Sequence, residues 1–203
     1  MSSIVDISGL PSSDSPTVAL LHPTPEENLA ATKVNGLSWR GPLSLEAYIR
    51  REKYLANQAL TRDGGLTVWI LVDTSETSTP RTILASCETL RKRALIRRQN
   101  GQVEETVAYG IASVFCNPEF RGKGYARRMI QELGKALDTW QHADGEVADF
   151  TILFSDIGKV RLWFLLTKKA ESTNSRTDFL LEARMEAIPV QSYDIESGRA
   201  TRG

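Results

Sequence analysis

The chain has 203 residues, of which 41% are hydrophobic, and its 25 Lys+Arg balance 25 Asp+Glu. That composition suits one globular domain and argues against a disordered or fibrous chain. A formal charge of zero gives no global attraction to nucleic acid or to an anionic membrane.

In chain order, residues 1–16 are rich in Ser, Pro, Gly and Asp and read as a mobile tail. Thr17–Leu21 is a short apolar run that predicts a first strand. Thr24-Pro25-Glu26-Glu27 then carries the marks of a helix start, with an N-cap, Pro in the first turn and acids beside it. This helix is expected to reach about Leu37, with a break over Trp39–Leu43. Ser44 caps a second helix whose apolar stripe is Leu45, Tyr48, Ile49 and Leu55. Thr61–Gly65 is a turn, and Leu66–Val72 is a strongly β-forming run that predicts a central strand. Thr82–Leu90 predicts another.

Arg91–Arg98 follows, with five cations in eight residues. No aromatic residue interleaves them, so they read as a solvated hairpin arm and not as a nucleic-acid patch. Gln99-Asn100-Gly101 is the hairpin turn, and Val103–Cys116 the return strand. Gly110 is the expected bulge site in that strand. A helix is predicted from Gly122 to about Gln141, closed by His142–Gly145, and a fifth strand over Phe150–Phe154.

The two cysteines, Cys87 and Cys116, lie in strand-like runs and read as buried free thiols of a reducing compartment. His22 and His142 lack metal-ligand spacing, so no metal is expected. No apolar run is long enough to span a bilayer, and the first thirty residues hold no Lys or Arg. A soluble, cytoplasmic protein without a leader is the expectation.

The chemistry concentrates between Ile111 and Met129. A strand turns at Asn117-Pro118, crosses Arg121-Gly122-Lys123-Gly124-Tyr125-Ala126 and enters a helix with Met129, Ile130, Leu133 and Leu137 at spacings of three and four. Free N–H groups at a helix start, the positive end of its dipole and glycines without Cβ suit a phosphate or pyrophosphate. Neither G-x-x-x-x-G-K-[ST] nor G-x-G-x-x-G with a downstream acid is present.

Arg121-x-x-Gly124-x-Ala126 resembles the acetyl-CoA signature of the GCN5-related N-acetyltransferases. The resemblance implies an α+β fold, with a mixed, mostly antiparallel sheet and flanking helices. It implies acetyl-CoA as co-substrate, held by Arg121, Gly122, Lys123, Gly124, Tyr125 and Ala126. Its pantetheine arm would pair with the main chain of Val114, Phe115 and Cys116. The loop between the first two helices, with Trp39 and Arg40, would border the acceptor pocket.

A narrower resemblance, to the fungal lysine N6-acetyltransferases of lysine catabolism, rests on Gly41–Tyr48, Leu60–Leu66, Leu84–Thr89, Gly110–Ala126 and Ser155–Lys159. It implies transfer of acetyl to the ε-amine of free lysine, with no nucleic-acid or membrane partner. That amine, with a pKa of about 10.4, must lose a proton before it attacks a thioester. Glu88 is the candidate base, with Glu104 and Glu105 behind it, although an outward-facing strand glutamate would read the same way. No residue stands out as the cation for the substrate carboxylate.

The resemblance stops after Lys159, so 17–159 reads as an incomplete acetyltransferase domain and 160–203 as an atypical helix and tail. The tyrosine proposed in the family as general acid is missing at its place, and Tyr193 lies in the tail. Translated intervening sequence from Val160 onward would give such a break, leaving a homologue that binds CoA with little or no turnover. A partner-binding module with an accidental loop is the third reading.

Overall fold

The computed structural model describes residues 9–98, 100–141 and 148–153. These residues form, in order, β1 (Val18–Leu21), α1 (Pro25–Trp39), α2 (Leu45–Leu55), β2 (Leu66–Asp73), β3 (Ala85–Arg97), β4 (Val103–Phe115), α3 (Tyr125–Leu137) and β5 (Ala148–Leu153). The expected residues His142–Gly145, Phe154, Ser155–Lys159, Tyr193 and the tail 160–203 lie outside the described residues.

Helix α1 starts on a reciprocal cap: Glu27 N–H donates to Thr24 Oγ1 at 3.2 Å, and Thr24 N–H to Glu27 Oε2 at 2.9 Å. Gly36 lies in its last turn. It sits where a Cβ would stand 3.0 Å from side-chain atoms of both Leu45 and Tyr48, so the glycine lets α1 and α2 approach closely. The helix therefore runs on to Trp39, a residue the sequence places in a break. Ser44 caps α2 by accepting from Ala47 N–H at 3.1 Å. Of the predicted stripe, Tyr48 is buried while Leu55 is 45% exposed.

The sheet has strand order β1-β2-β3-β4-β5. All neighbours are antiparallel except β4 and β5, which are parallel. The mixed, mostly antiparallel sheet is thus as expected, but β2 is an interior strand and β3 is the middle one. Helix α3 covers one face, burying Met129, Leu133 and Leu137 against Trp69, Leu71, Cys87 and Tyr109. On the opposite face Ile70 and Val72 pack with Ala31 of α1.

The basic run forms one side of the β3–β4 hairpin. It continues β3 to Arg97, paired with β4 down to Val103. Arg93 bonds Glu105 at 2.7 Å, while Arg98 bonds Glu104 and Asp149, both at 2.8 Å. Arg93 and Arg98 are thus paired with acids of the neighbouring strands.

Gly110 is not the bulge. It pairs in register with Leu90. The irregularity lies further on, where Ser86 pairs Phe115 and Glu88 pairs Ala112. Two residues of β4, Ser113 and Val114, thus face one residue of β3, Cys87. Ser113 takes a positive φ of 52°, uncommon without glycine.

Residues 9–16, assigned to a tail in the sequence, include a well-bonded segment. Leu10 packs on the core. Tyr125 Oη donates to Pro11 O, and Arg128 Nη1 donates to Ser13 O at 2.8 Å. Helix α3 is also shorter at both ends than the predicted span from Gly122 to Gln141.

Candidate active site

Between α1, α2 and the sheet lies a cleft of about 910 Å³. Leu29, Thr32 and Trp39 of α1 and Tyr48, Arg51 and Glu52 of α2 form its helical wall, and Val68, Glu88, Leu90 and Ser113 its floor. Alternation along β3 puts Glu88 here and its neighbour Cys87 on the α3 side. Burial raises the Glu88 carboxyl above its ordinary range, the hydroxyl of Ser113 pulls it down, and the charge of Glu52 adds to the rise. Ser113 Oγ donates to Glu88 Oε2 at 2.6 Å.

Around Glu88 the cleft is a polar group of mixed sign. The Arg51 guanidinium stacks over the Tyr48 ring at 4.7 Å and bonds Glu52 at 2.6 Å. Burial pushes the Tyr48 phenol up, and Glu52 pushes it further. Trp39 meets Phe115 edge-on, with ring centroids 5.2 Å apart, and ties α1 to the end of β4. Arg40 is the C-cap of α1 and stands outside the cleft wall. Glu104 and Glu105 are occupied by Arg98 and Arg93 on the hairpin, also outside it.

The glycine loop follows β4 directly. A 3₁₀ turn over Pro118–Phe120 is capped by Asn117, whose side chain accepts from Glu119 N–H at 3.2 Å. Gly122 and Gly124 then take φ of 79° and 89°, which reverse the chain into α3. Gly124 is the N-cap and supplies no side-chain bond, and the first turn holds no acid. The first-turn N–H groups have no side-chain cap, with Arg121, Lys123 and Arg127 exposed around them. Cations at this end oppose the helix dipole, so an anion offsets both.

The other predicted loop residues divide. Gly122 is open, since a Cβ there would meet nothing within 4 Å. Arg121 Nε donates to Cys116 O at 3.3 Å, and Ala126 is half-buried on the first turn. Tyr125 is 1% exposed, so its ring belongs to the core and only its main chain reaches the loop. At Gly124 the nearest neighbour is Ser13, whose Oγ would stand 2.8 Å from an added Cβ.

Val114 and Cys116 pack against the α3-side core, and Phe115 is buried. The described β4–β5 pairing ends at Ile111 and Leu153, before these residues. Both thiols are free, with burial pushing Cys87 to about 12 and raising Cys116. The sequence had no signal for Ser113, for the Tyr48–Arg51–Glu52 group or for Ser13. Serine in a strand is unremarkable, and the others meet Glu88 and Gly124 only through tertiary contacts.

No family model matches the chain. Over 114 residues it is 29% identical to a lysine acetyltransferase of Yarrowia lipolytica, an alignment covering 56% of this chain and 28% of that protein. It is a relative of that lysine acetyltransferase, with the fold of the GCN5-related N-acetyltransferases. Both resemblances read from the sequence are borne out at that level. An uncharacterized protein of Saccharomyces cerevisiae is 27% identical over 124 residues, covering 51% of this chain and 31% of that one. The chain therefore spans less than a third of the length of these two curated relatives.

Among solved structures of this acetyltransferase fold, one is a Trypanosoma brucei acetyltransferase. It is 17% identical with a TM-score of 0.43, covering 80% of this chain and 99% of that one. A Brucella melitensis family member in complex with acetyl-CoA is 15% identical with a TM-score of 0.45, covering 78% and 93%.

Proposed function

We propose that the chain is an acetyl-CoA-dependent N-acetyltransferase acting on the ε-amine of free lysine, with Glu88 as general base. The observation that carries this reading is the half-buried Glu88 carboxyl on the floor of a cleft whose β4 wall leads into the glycine loop. The relative named a lysine acetyltransferase supports the acceptor. Glu26, Glu52 and Glu88 in the cleft wall suit a cationic amine.

The donor set fits CoA. First-turn N–H groups without a side-chain cap, Arg121, Lys123 and an open Gly122 would hold the pyrophosphate. Main-chain groups of Val114, Phe115 and Cys116, at the end of β4, would meet the pantetheine arm and polarise a carbonyl. When bound, acetyl-CoA would supply a thioester; its C–S bond would break as the amine nitrogen forms an amide, the CoA thiolate leaving as free thiol with the second proton of that nitrogen. Glu88 takes the ammonium proton, which its raised affinity for protons favours. Tyr48 and Arg51 shape the acceptor side of the cleft.

The deciding experiment incubates the full chain with acetyl-CoA and lysine and follows release of free thiol. Turnover supports the proposal. A second reading is CoA binding with little or no turnover, in which Glu88 is only a strand residue bonded to Ser113. Calorimetric binding of CoA without thiol release would select it, and absence of binding would remove both.

Lys123→Glu tests the loop better than a change at Gly124, where Ser13 and a positive φ confound the result. Lys123 is exposed, so the fold should hold. CoA affinity is expected to fall by about 1–3 kcal/mol, the range for losing a hydrogen bond to a charged group and repelling the anion. Unchanged affinity by calorimetry would remove the pyrophosphate site from this loop.

A further inference from the structure

We infer that Ser113 is a positioning residue, which the bulge in β4 turns onto the cleft side of the sheet to hold the Glu88 carboxylate. This rests on the role proposed above for Glu88. In an antiparallel pair, opposed residues share a face, so Ala112 lies on the same side as its partner Glu88. The next residue of a regular strand points the other way, toward α3. Ser113 does not. It lines the cleft together with Glu88, and its Oγ donates to Glu88 Oε2 at 2.6 Å.

The backbone shows how this is achieved. Ser113 has φ of 52°, a left-handed conformation, at the point where β4 places two residues against one. For a residue with a Cβ that conformation is strained, and the strain persists only where surrounding structure enforces it. Glycine would adopt it freely, so what serine adds at this place is the hydroxyl. The hydroxyl reaches one of two carboxylate oxygens, which fixes the rotation of the group and leaves the other oxygen for a proton. The ordering runs from strand register to side-chain direction to the orientation of a base.

Other charged or titratable groups also face this cleft: Glu26 from α1, and Tyr48, Arg51, Glu52 and Lys53 from α2. Glu52 raises the Glu88 carboxyl, as burial does, and the bond from Ser113 is the influence that lowers it. Loss of the hydroxyl therefore moves the carboxyl further up.

The test compares wild type, Ser113→Gly and Ser113→Ala, following the Glu88 carboxyl carbon by NMR titration without any substrate. Both variants should raise its midpoint by about 1–2 pH units, the equivalent of one hydrogen bond to a charged group. The acidic limb of kcat/KM should move up with it. Ser113→Gly relieves the φ strain, so it should be at least as stable as Ser113→Ala and keeps the experiment interpretable should the alanine variant fold poorly. A Glu88 midpoint that stays put in folded Ser113→Gly overturns the inference. If the midpoint shifts but wild type turns over no acetyl-CoA, the Ser113–Glu88 coupling is upheld and the acetyltransferase reading is what fails.

Discussion

Replacing Glu88 by glutamine is expected to lower kcat for acetyl transfer by about 10²–10⁴-fold, the range for removing a general base. Glutamine keeps the shape of the side chain and an oxygen that can accept from Ser113, so packing on the cleft floor is little disturbed. What disappears is the group able to hold the substrate proton. CoA affinity, set at the loop before α3, should be unchanged by calorimetry. The pH dependence gives a second readout. The raised Glu88 carboxyl must be deprotonated to act, so wild-type kcat/KM climbs with pH through a midpoint above the ordinary carboxylate value of 4.5. That limb should vanish in the glutamine variant. Wild-type turnover in Glu88→Gln would leave Glu88 a strand residue tied to Ser113 and nothing more.

Whether a feature could be read from the sequence depended on how locally it is determined. The start of α1 is set by Thr24, Pro25 and Glu27 within four residues of one another, and it is built as the residues suggest. The Arg121–Ala126 loop is equally local, because two glycines, a proline turn and an apolar period mark it without help from the rest of the chain. The role of Gly36 is not local, since only its contact with Tyr48 and Leu45 reveals it. The bulge was sought at Gly110, where glycine invites it, and lies at Ser113, where a cross-strand bond to Glu88 accompanies it. Tyr125 stood among the loop residues by position, and its ring is committed to the core. The cleft itself joins side chains from two helices and three strands, and no spacing along the chain announces that meeting.

The other large effect concerns stability. Glu27 is 2% exposed, and its carboxylate accepts from Arg81 Nε at 2.6 Å and Nη2 at 3.2 Å as well as from Thr24 N–H. It therefore closes the first turn of α1 and ties that helix to the loop before β3. Arg81→Ala would leave the carboxylate buried without its cation, and such a break costs about 3–5 kcal/mol. Glu27→Ala is expected to cost less, because the Arg81 side chain is 21% exposed and can be hydrated, so the loss is that of its bonds and of half of the capping box. Urea unfolding of both variants and of the double variant measures this. In the double variant neither charge is left unpaired, so its loss should be smaller than the sum of the two. The pair also sets an acid limit. The bond from Arg81 holds Glu27 below its ordinary value of 4.5, against the upward push of burial. Its contribution to stability is thus full above that unfolded value and is lost as pH falls through the lower folded one. Wild type should lose stability between those two values, and Glu27→Gln should lose less over the same interval. Equal acid sensitivity of the two proteins would show that other carboxylates set the limit, and additive losses in the double variant would show that Glu27 and Arg81 act independently.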